Sequence, residues 1–590
     1  MLNRMIWFSL HHRALVLGVG LATLAFGLWV TMRMPVDVFP DLTAPTVTVI
    51  TEAPGLAPEE VELLVTFPLE SALNGASGVR RIRSVSAAGI SVIWTEFRWG
   101  QDVYRARQVV SERVQGVELP RNIDRPELGP VSSIMGEITF VALTARDHTV
   151  TAVELRRVAE TVLRRGLLAV PGVALVSPIG GDVREIQVEL NPAALAQHSV
   201  SLGDVTAALG AASASPAAGF HLAQGQEYLV RGLGRVRTLA DLAATPIRTV
   251  NGVPVTVGSV ATVQDGVEPR RGTAAYKAQP AVILSVQKQP GANTLALTRQ
   301  IDRVLADIGR TLPAGIVIET ENFRQADFIE VAVHNVAAAL RDGAILVIVI
   351  LFAFLGNLRA TFITAVAIPL SLLAAIITMS WFRIDINTMT LGGLTIAIGA
   401  LVDDAIIDVE NVFRRMRAEH LRPRAERRPA IEVMFAASSE VRKPILFATL
   451  IVVLVFVPLF VLPGMEGRLL RPLGFAYVVA LAASLFVSLT VTPVLCYFLL
   501  QNERILSRPE SWLMRTLKAR YERTLERVLS HPRPLFVLTA LLLAGAIATV
   551  PFLGRSFLPP FNEGSLTVSV VSVPGITLDE SDALGRQVEL

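Results

Sequence analysis

Seven stretches of this chain are apolar enough and long enough to cross a bilayer as helices. A hydrocarbon core of about 30 Å takes about 20 residues at roughly 1.5 Å each. The stretches are 14–32, 343–358 (extended by 336–340), 360–382, 388–412, 444–465, 473–500 and 534–554. Runs of this number and length do not fit the core of a soluble fold. Only 18% of the 590 residues are charged and 52% are hydrophobic. A soluble globular chain carries roughly 25% charged residues. The first stretch follows Arg13, exceeds a usual signal-peptide core and ends in Thr31-Met32-Arg33-Met34, without small residues for cleavage. It reads as a signal anchor.

Basic residues orient the spans, because cytoplasmic loops carry the excess of Lys and Arg. Loop 413–443 holds Arg414, Arg415, Arg417, Arg422, Arg424, Arg427, Arg428, Arg442 and Lys443. Loop 501–533 holds eight more basic residues, among them Lys518, Arg520 and Arg523. The alternate short loops hold only Arg383, Arg468 and Arg471. This places the N-terminus, with Arg4 and Arg13, on the cytoplasmic side. The two long basic loops are surfaces for anionic lipid. Segment 33–342 then lies outside the cytoplasm.

That exported segment alternates strand and helix patterns. Residues 46–51 alternate at period two, 58–73 read as a helix, 82–86 and 90–97 as paired strands, 103–117 as a helix and 137–143 as a strand. The order β-α-β-β-α-β is the ferredoxin-like motif. It restarts after Thr149 with a helix over 152–168, strands near 174–178 and 185–190, and a helix over 202–212. A glycine-bearing segment, 213–271, interrupts this second unit. Strands over 282–287 and 316–321 then flank a helix over 294–310. The expected architecture is an α-helical membrane bundle plus periplasmic α+β ferredoxin-like subdomains with an inserted docking subdomain. The boundaries read as 1–33 for the N-terminus and first span, 34–149 for the first unit and 150–335 for the second. Spans two to six take 336–500, a basic amphipathic segment 501–533 and the seventh span 534–554.

Residues 555–590 begin a repeat. Phe39-Pro40-Asp41-Leu42, TVTVIT and Pro54-Gly55 follow the first span; Leu558-Pro559-Pro560-Phe561, LTVSVV and Pro574-Gly575 follow the seventh. The offset between Pro54 and Pro574 also relates His11 to His531 and Arg13 to Arg533. Parallel repeats of this kind occur in transporters. The 590 residues are therefore expected to be the N-terminal portion of a longer protein.

The chemistry lies in the fourth span, in Ala397-Ile-Gly-Ala-Leu-Val-Asp-Asp-Ala-Ile-Ile-Asp-Val-Glu-Asn411. An intramembrane Asp costs roughly 2.5–3.5 kcal/mol to insert, so Asp403 and Asp404 need a reason. Carboxylates that exchange protons between two aqueous sides form a relay, and that is the role expected of the pair. Asp408 and Glu410, nearer the cytoplasmic end, read as a secondary relay or an ion pair with Arg414 and Arg415. None of the seven stretches contains Lys or Arg, so a countercharge is expected from the second copy. The single cysteine, Cys496, excludes an intrachain disulfide and a Cys-based metal site. The eight His residues show no metal-ligand spacing, and no nucleophile–base pair or phosphate loop is present. Neither an enzyme nor a nucleic-acid binder is indicated.

The chain resembles the resistance-nodulation-division transporters, the inner-membrane efflux permeases of bacteria. The resemblance runs from Pro35-Val-Asp-Val-Phe-Pro-Asp41 to Leu558-Pro-Pro560. It is most specific at Asn357-Leu-Arg-Ala-Thr361, Asp385-Ile-Asn-Thr388, 397–411 and Leu489-Thr-Val-Thr-Pro-Val-Leu-Cys496. It implies a chain about twice this length, a homotrimer, and a tripartite complex with a periplasmic adaptor and an outer-membrane channel. It implies export of metal ions or small organic solutes, driven by the proton-motive force without a cofactor, with Asp403 and Asp404 at the relay positions. Gln226-Glu-Tyr-Leu-Val-Arg231 and Arg270-Arg-Gly272 resemble the heavy-metal-efflux branch. Two departures leave the substrate open. The cobalt-zinc-cadmium type has an extra acid where this chain has Ala397, and the copper-silver type has a methionine where it has Ser569. Met135 is the only methionine in 35–342, although thioethers favour soft metals. The alternatives are a superfamily member that aids protein or lipid export, or an inactive membrane-anchored fragment.

Overall fold

The computed structural model describes residues 2–590 except 41, 43, 121–122, 132–135, 147–149, 215–216, 232–233, 251, 424–425, 502–505, 507–511, 555–565 and 574. Several motif positions fall outside the described residues: Asp41, Met135, Arg424, Arg504, Arg508, Leu558 to Phe561 and Pro574. The chain divides into two units. One is Met1–Gly136, Lys288–Thr298 and Arg324–Leu566; the other is Glu137–Gln287, Arg299–Phe323 and Thr567–Leu590.

The first unit holds the apolar helices. Among the described residues seven are long and apolar enough to cross a membrane: Arg13–Arg33, Gln325–Phe354, Leu358–Trp381, Thr388–His420, Ala430–Val461, Gly464–Leu499 and Pro532–Phe552. They are numbered as spans one to seven. The turn between spans two and three follows from two residues. Gly356 takes a left-handed conformation (φ 59°) and closes the second span. The Asn357 side chain then accepts a hydrogen bond from the Arg359 amide at 3.0 Å and caps the third. The fourth and fifth spans run well past the hydrocarbon length. Most of the loop expected over 413–443 is therefore taken up by the helices Thr388–His420 and Ala430–Val461. Arg442 sits twelve residues inside the fifth span rather than in a loop. The segment expected over 501–533 contains the exposed helix Trp512–Ser530.

The same unit carries a four-stranded antiparallel sheet in the order Val79–Ala87, Ile90–Phe97, Thr46–Glu52, Glu127–Leu128. Period-two burial puts Val47, Val49, Ile93 and Phe97 on one face. There they meet Val61, Val65, Leu69 and Leu73 of one helical stretch and Ala106, Val110 and Val114 of another. The strand expected over 137–143 to close this sheet belongs to the other unit. The two-residue strand Glu127–Leu128 takes its place, in a stretch whose Pro126 and Pro130 hide any alternation.

In the second unit Glu137–Ala145 lies between Gln279–Lys288 and Ile316–Glu319, antiparallel to both, and Val173–Ile179 also pairs with Gln279–Lys288. Between them is an insertion: Arg184–Leu190 antiparallel to Ala261–Val267, and hairpins Ala217–Ala223 with Gln226–Arg231 and Pro246–Val250 with Val253–Thr256. Among the described residues of 213–271, most are strand and short helix. In each unit the helical stretch after the first strand contains a π turn, Glu62–Thr66 in one and Ala159–Leu163 in the other.

Candidate functional site

The fourth span is held at its N-terminal end by its own sequence. Asn387 caps it: its carboxamide oxygen accepts from the Thr390 amide at 2.9 Å, and its own amide donates to Thr390 Oγ1 at 2.8 Å. The chain just before the cap pairs with the segment that leaves the first span. Val36 and Ile386 form a parallel bridge, and the Thr388 hydroxyl donates to the Val38 carbonyl at 2.6 Å. The segment 35–38, where the resemblance begins, and the motif 385–388 are therefore one structural feature. Beside it Lys288 Nζ donates to Asp37 Oδ2 at 2.7 Å and contacts Thr294 Oγ1 at 2.6 Å.

From this anchor the helix packs against spans three and six. Ala397 and Leu401 are buried with Met379, Ala476, Tyr477 and Ala480, and Ala405 with Leu370, Val487 and Val491. The close crossing with span six needs Gly393, where a Cβ would fall 2.4 Å from the Leu473 carbonyl oxygen. Rotation of about 100° per residue then fixes what each carboxylate meets. Asp403 is exposed, Asp404 is half-buried, Asp408 is 3% exposed and Glu410 is exposed. Asp403 and Asp404 make no hydrogen bond or ion pair with any described residue. Asp404 lies within electrostatic reach of Tyr477, whose ring stacks on Phe456 at 4.3 Å.

The pairing expected of Asp408 and Glu410 with Arg414 and Arg415 is not formed. Arg415 pairs with Glu440 at 2.7 Å, and Arg414 donates to the Asn411 side chain at 2.7 Å. Asp408 turns instead toward span five, where it shares a small cavity with Ser438 and Arg442. Arg442 is 3% exposed and donates from Nη1 to Asn3 Oδ1 at 2.5 Å. A buried cation therefore stands among the spans, contrary to the expectation that none does. The signal for it was present as Ser438 and Arg442 four residues apart, a polar helical stripe running into the apolar stretch. The role of Lys288 and Asp37 had no local signal, because 251 residues separate them. Among the described residues no group of three or more His, Cys, Asp or Glu side chains is placed to hold a metal ion.

The arrangement offers adjacent carboxylates, one exposed and one half-buried, on an apolar helix packed by small residues. Comparison with known proteins gives the setting. Residues 5–590 match the family described as AcrB/AcrD/AcrF. The chain is 34% identical over 603 residues to the cation efflux system protein CzcA of Alcaligenes sp. (strain CT14), covering 100% of this chain and 56% of that one. It is 33% identical over 590 residues to the cation efflux system protein CusA of Escherichia coli (strain K12), covering 98% and 56%. A crystal structure of a heavy metal efflux pump superposes with a TM-score of 0.84 at 28% identity, over 99% of this chain and 56% of that one. The chain spans about half the length of the curated relatives it matches.

Proposed function

Because the chain belongs to the AcrB/AcrD/AcrF family of resistance-nodulation-division permeases, we propose that it is the N-terminal portion of a proton-coupled efflux permease whose cargo is metal cations. The observation that carries this reading is the Asp403–Asp404 pair, unpartnered and at two depths of burial on a span packed by Ala397, Leu401 and Ala405. Proton uptake changes the charge of that face. A change of charge at membrane depth costs several kcal/mol unless the helices reorganise, which is how a proton gradient is coupled to movement of the exported domain. The relatives' names, cation efflux system protein and heavy metal efflux pump, support metal cargo. The cargo is a transported ion and not a resident cofactor. Ala397 and Ser569 stand where the two metal types differ, so the ion is not that of either type by residue identity.

Both antiparallel sheets are read as ferredoxin-like. In each, the first strand lies between the third and the fourth, as the β-α-β-β-α-β motif requires. The basic residues over 413–443 and of helix Trp512–Ser530 favour a cytoplasmic N-terminus in a bacterial inner membrane. The working assembly is a homotrimer joined to a periplasmic adaptor and an outer-membrane channel.

The test is cation uptake into everted membrane vesicles carrying the complete permease, with a proton gradient imposed. Asp403→Asn and Asp404→Asn should each lower uptake at least a hundredfold while the protein still reaches the membrane and assembles. Retained uptake in both variants rejects the relay. Uptake of organic solutes and not of metal cations rejects the cargo.

A further inference from the structure

Asp408, Ser438 and Arg442 are each 3% exposed. Four of their atoms are buried without a hydrogen-bonding partner in the protein: Asp408 Oδ2, Ser438 Oγ, and Nε and Nη2 of Arg442. The three residues line one cavity of about 10 Å³ between the N-terminal helix and spans four, five and six, closed by Ile6, Ile445, Leu485 and Leu489. That volume is the room one water molecule needs, and a buried water typically makes about three hydrogen bonds. Buried polar groups without partners call for such an explanation. Asp408 follows Asp404 by four residues, so the two share a helix face about one turn apart.

We propose that Asp408 is a third proton-carrying carboxylate of the fourth span, and that Arg442 and one bound water form the site that receives and releases its proton. The proposal rests on the relay reading of Asp404. Its strength is that the site is satisfied in both charge states. With Asp408 ionised, the water donates to Oδ2 and accepts from Arg442, and the Ser438 hydroxyl donates. With Asp408 protonated, Oδ2–H donates to the water or to Ser438, whose hydroxyl serves as donor or acceptor. Arg442 stays charged throughout. Its direct bond goes to Asn3 rather than to Asp408. The cation therefore stabilises the carboxylate through the water instead of locking it in a direct pair. The other groups that face Asp408 are Cys496 of span six, within electrostatic reach, and Ser488 of the same span, whose hydroxyl donates to Leu485 O. The proton step is simple in balance. An O–H bond breaks on Asp404 or on water and one forms at Oδ2; release reverses it.

The experiment is pH-difference infrared spectroscopy of the 590-residue chain in lipid nanodiscs, with carbon-13-labelled aspartate to mark the carboxyl stretch. Asp408→Asn should remove one protonated-carboxyl band, and Asp404→Asn should remove a different one. Arg442→Met should raise the proton affinity behind the Asp408 band at least tenfold, and Arg442→Lys should change it less. Ser438→Ala, which keeps both Asp408 and Arg442, should shift the same midpoint about threefold. A spectrum unchanged by Asp408→Asn overturns the proposal, as does a midpoint unmoved by both Arg442→Met and Ser438→Ala. If Asp408→Asn removes a band and Asp404→Asn removes none, the Asp408 site stands and the Asp404 relay falls.

Discussion

Lys288 and Asp37 lie apart from the carboxylates of the fourth span, which makes them a test of the anchor at its N-terminal end. The Lys288 side chain is 8% exposed and the Asp37 side chain 27%. Removing one member of a buried pair strands the other charge and costs about 3–5 kcal/mol, whereas replacing both with apolar groups is often neutral. Asp37 retains some water, so Lys288→Met should cost about 3 kcal/mol, the lower end of that range. Lys288→Met combined with Asp37→Leu should recover most of the loss. Both are read by chemical unfolding in detergent. An equal cost for the single and double variants would mean that packing of the lysine stem dominates. The carboxylates of the fourth span were legible one residue at a time, because an acid in an apolar run is conspicuous wherever it lies. Their surroundings were not. Tyr477 near Asp404 and Arg442 near Asp408 come from other helices, and nothing in the spacing around either carboxylate points to them.

At the level of elements, length was legible and ends were not. Each span was found from its roughly 20 apolar residues, but the helices of spans four and five continue past those apolar stretches as Thr388–His420 and Ala430–Val461. Hydropathy stops where the hydrocarbon stops, while the helix stops where its hydrogen bonds do. That difference put Arg442 in a loop on paper and in a buried site in the fold. The sheets erred the other way. The strand Glu137–Ala145 was found, but its sheet was mistaken, because a two-residue strand at Glu127–Leu128 gives no periodicity to compete with it. The caps are where sequence and element agree most closely. Asn387 is 2% exposed and holds the first turn of the fourth span. Losing an Asn cap typically costs about 1 kcal/mol and up to about 2, and burial places this one at the upper end. Asn387→Ala should therefore lower stability by about 2 kcal/mol, and Asn387→Asp, which caps as well but buries a charge, should not rescue it. Faster hydrogen exchange at 388–391 in the alanine variant is the local signature, and unchanged exchange there would refute the role.

Across the whole molecule the spans are unequally covered. In their most apolar windows the fourth and sixth spans are 50% and 56% buried, the second and fifth only 6% each, and the seventh 0%. A helix need not be covered by protein in a bilayer, since lipid solvates apolar side chains as well as protein does. A charged side chain is different: it needs water or a partner, and Asp403 and Glu410 lie on the exposed side of the fourth span. The internal repeat and the relatives, of which this chain covers about half, point to the same remedy. A second set of spans would lie over that face and bring the groups that Asp403 lacks. The expectation can be checked with a lipid-soluble carbodiimide, which modifies carboxyl groups reachable from the apolar phase, followed by mass spectrometry of the peptide that contains 403–410. In the 590-residue chain Asp403 should be modified and Asp408 spared. In a chain that continues through a second set of spans, modification at Asp403 should fall at least tenfold while Asp408 stays spared. Equal modification of Asp403 in both would mean that this face meets lipid or water in the complete protein as well, and the proton would then reach Asp403 without help from the second repeat.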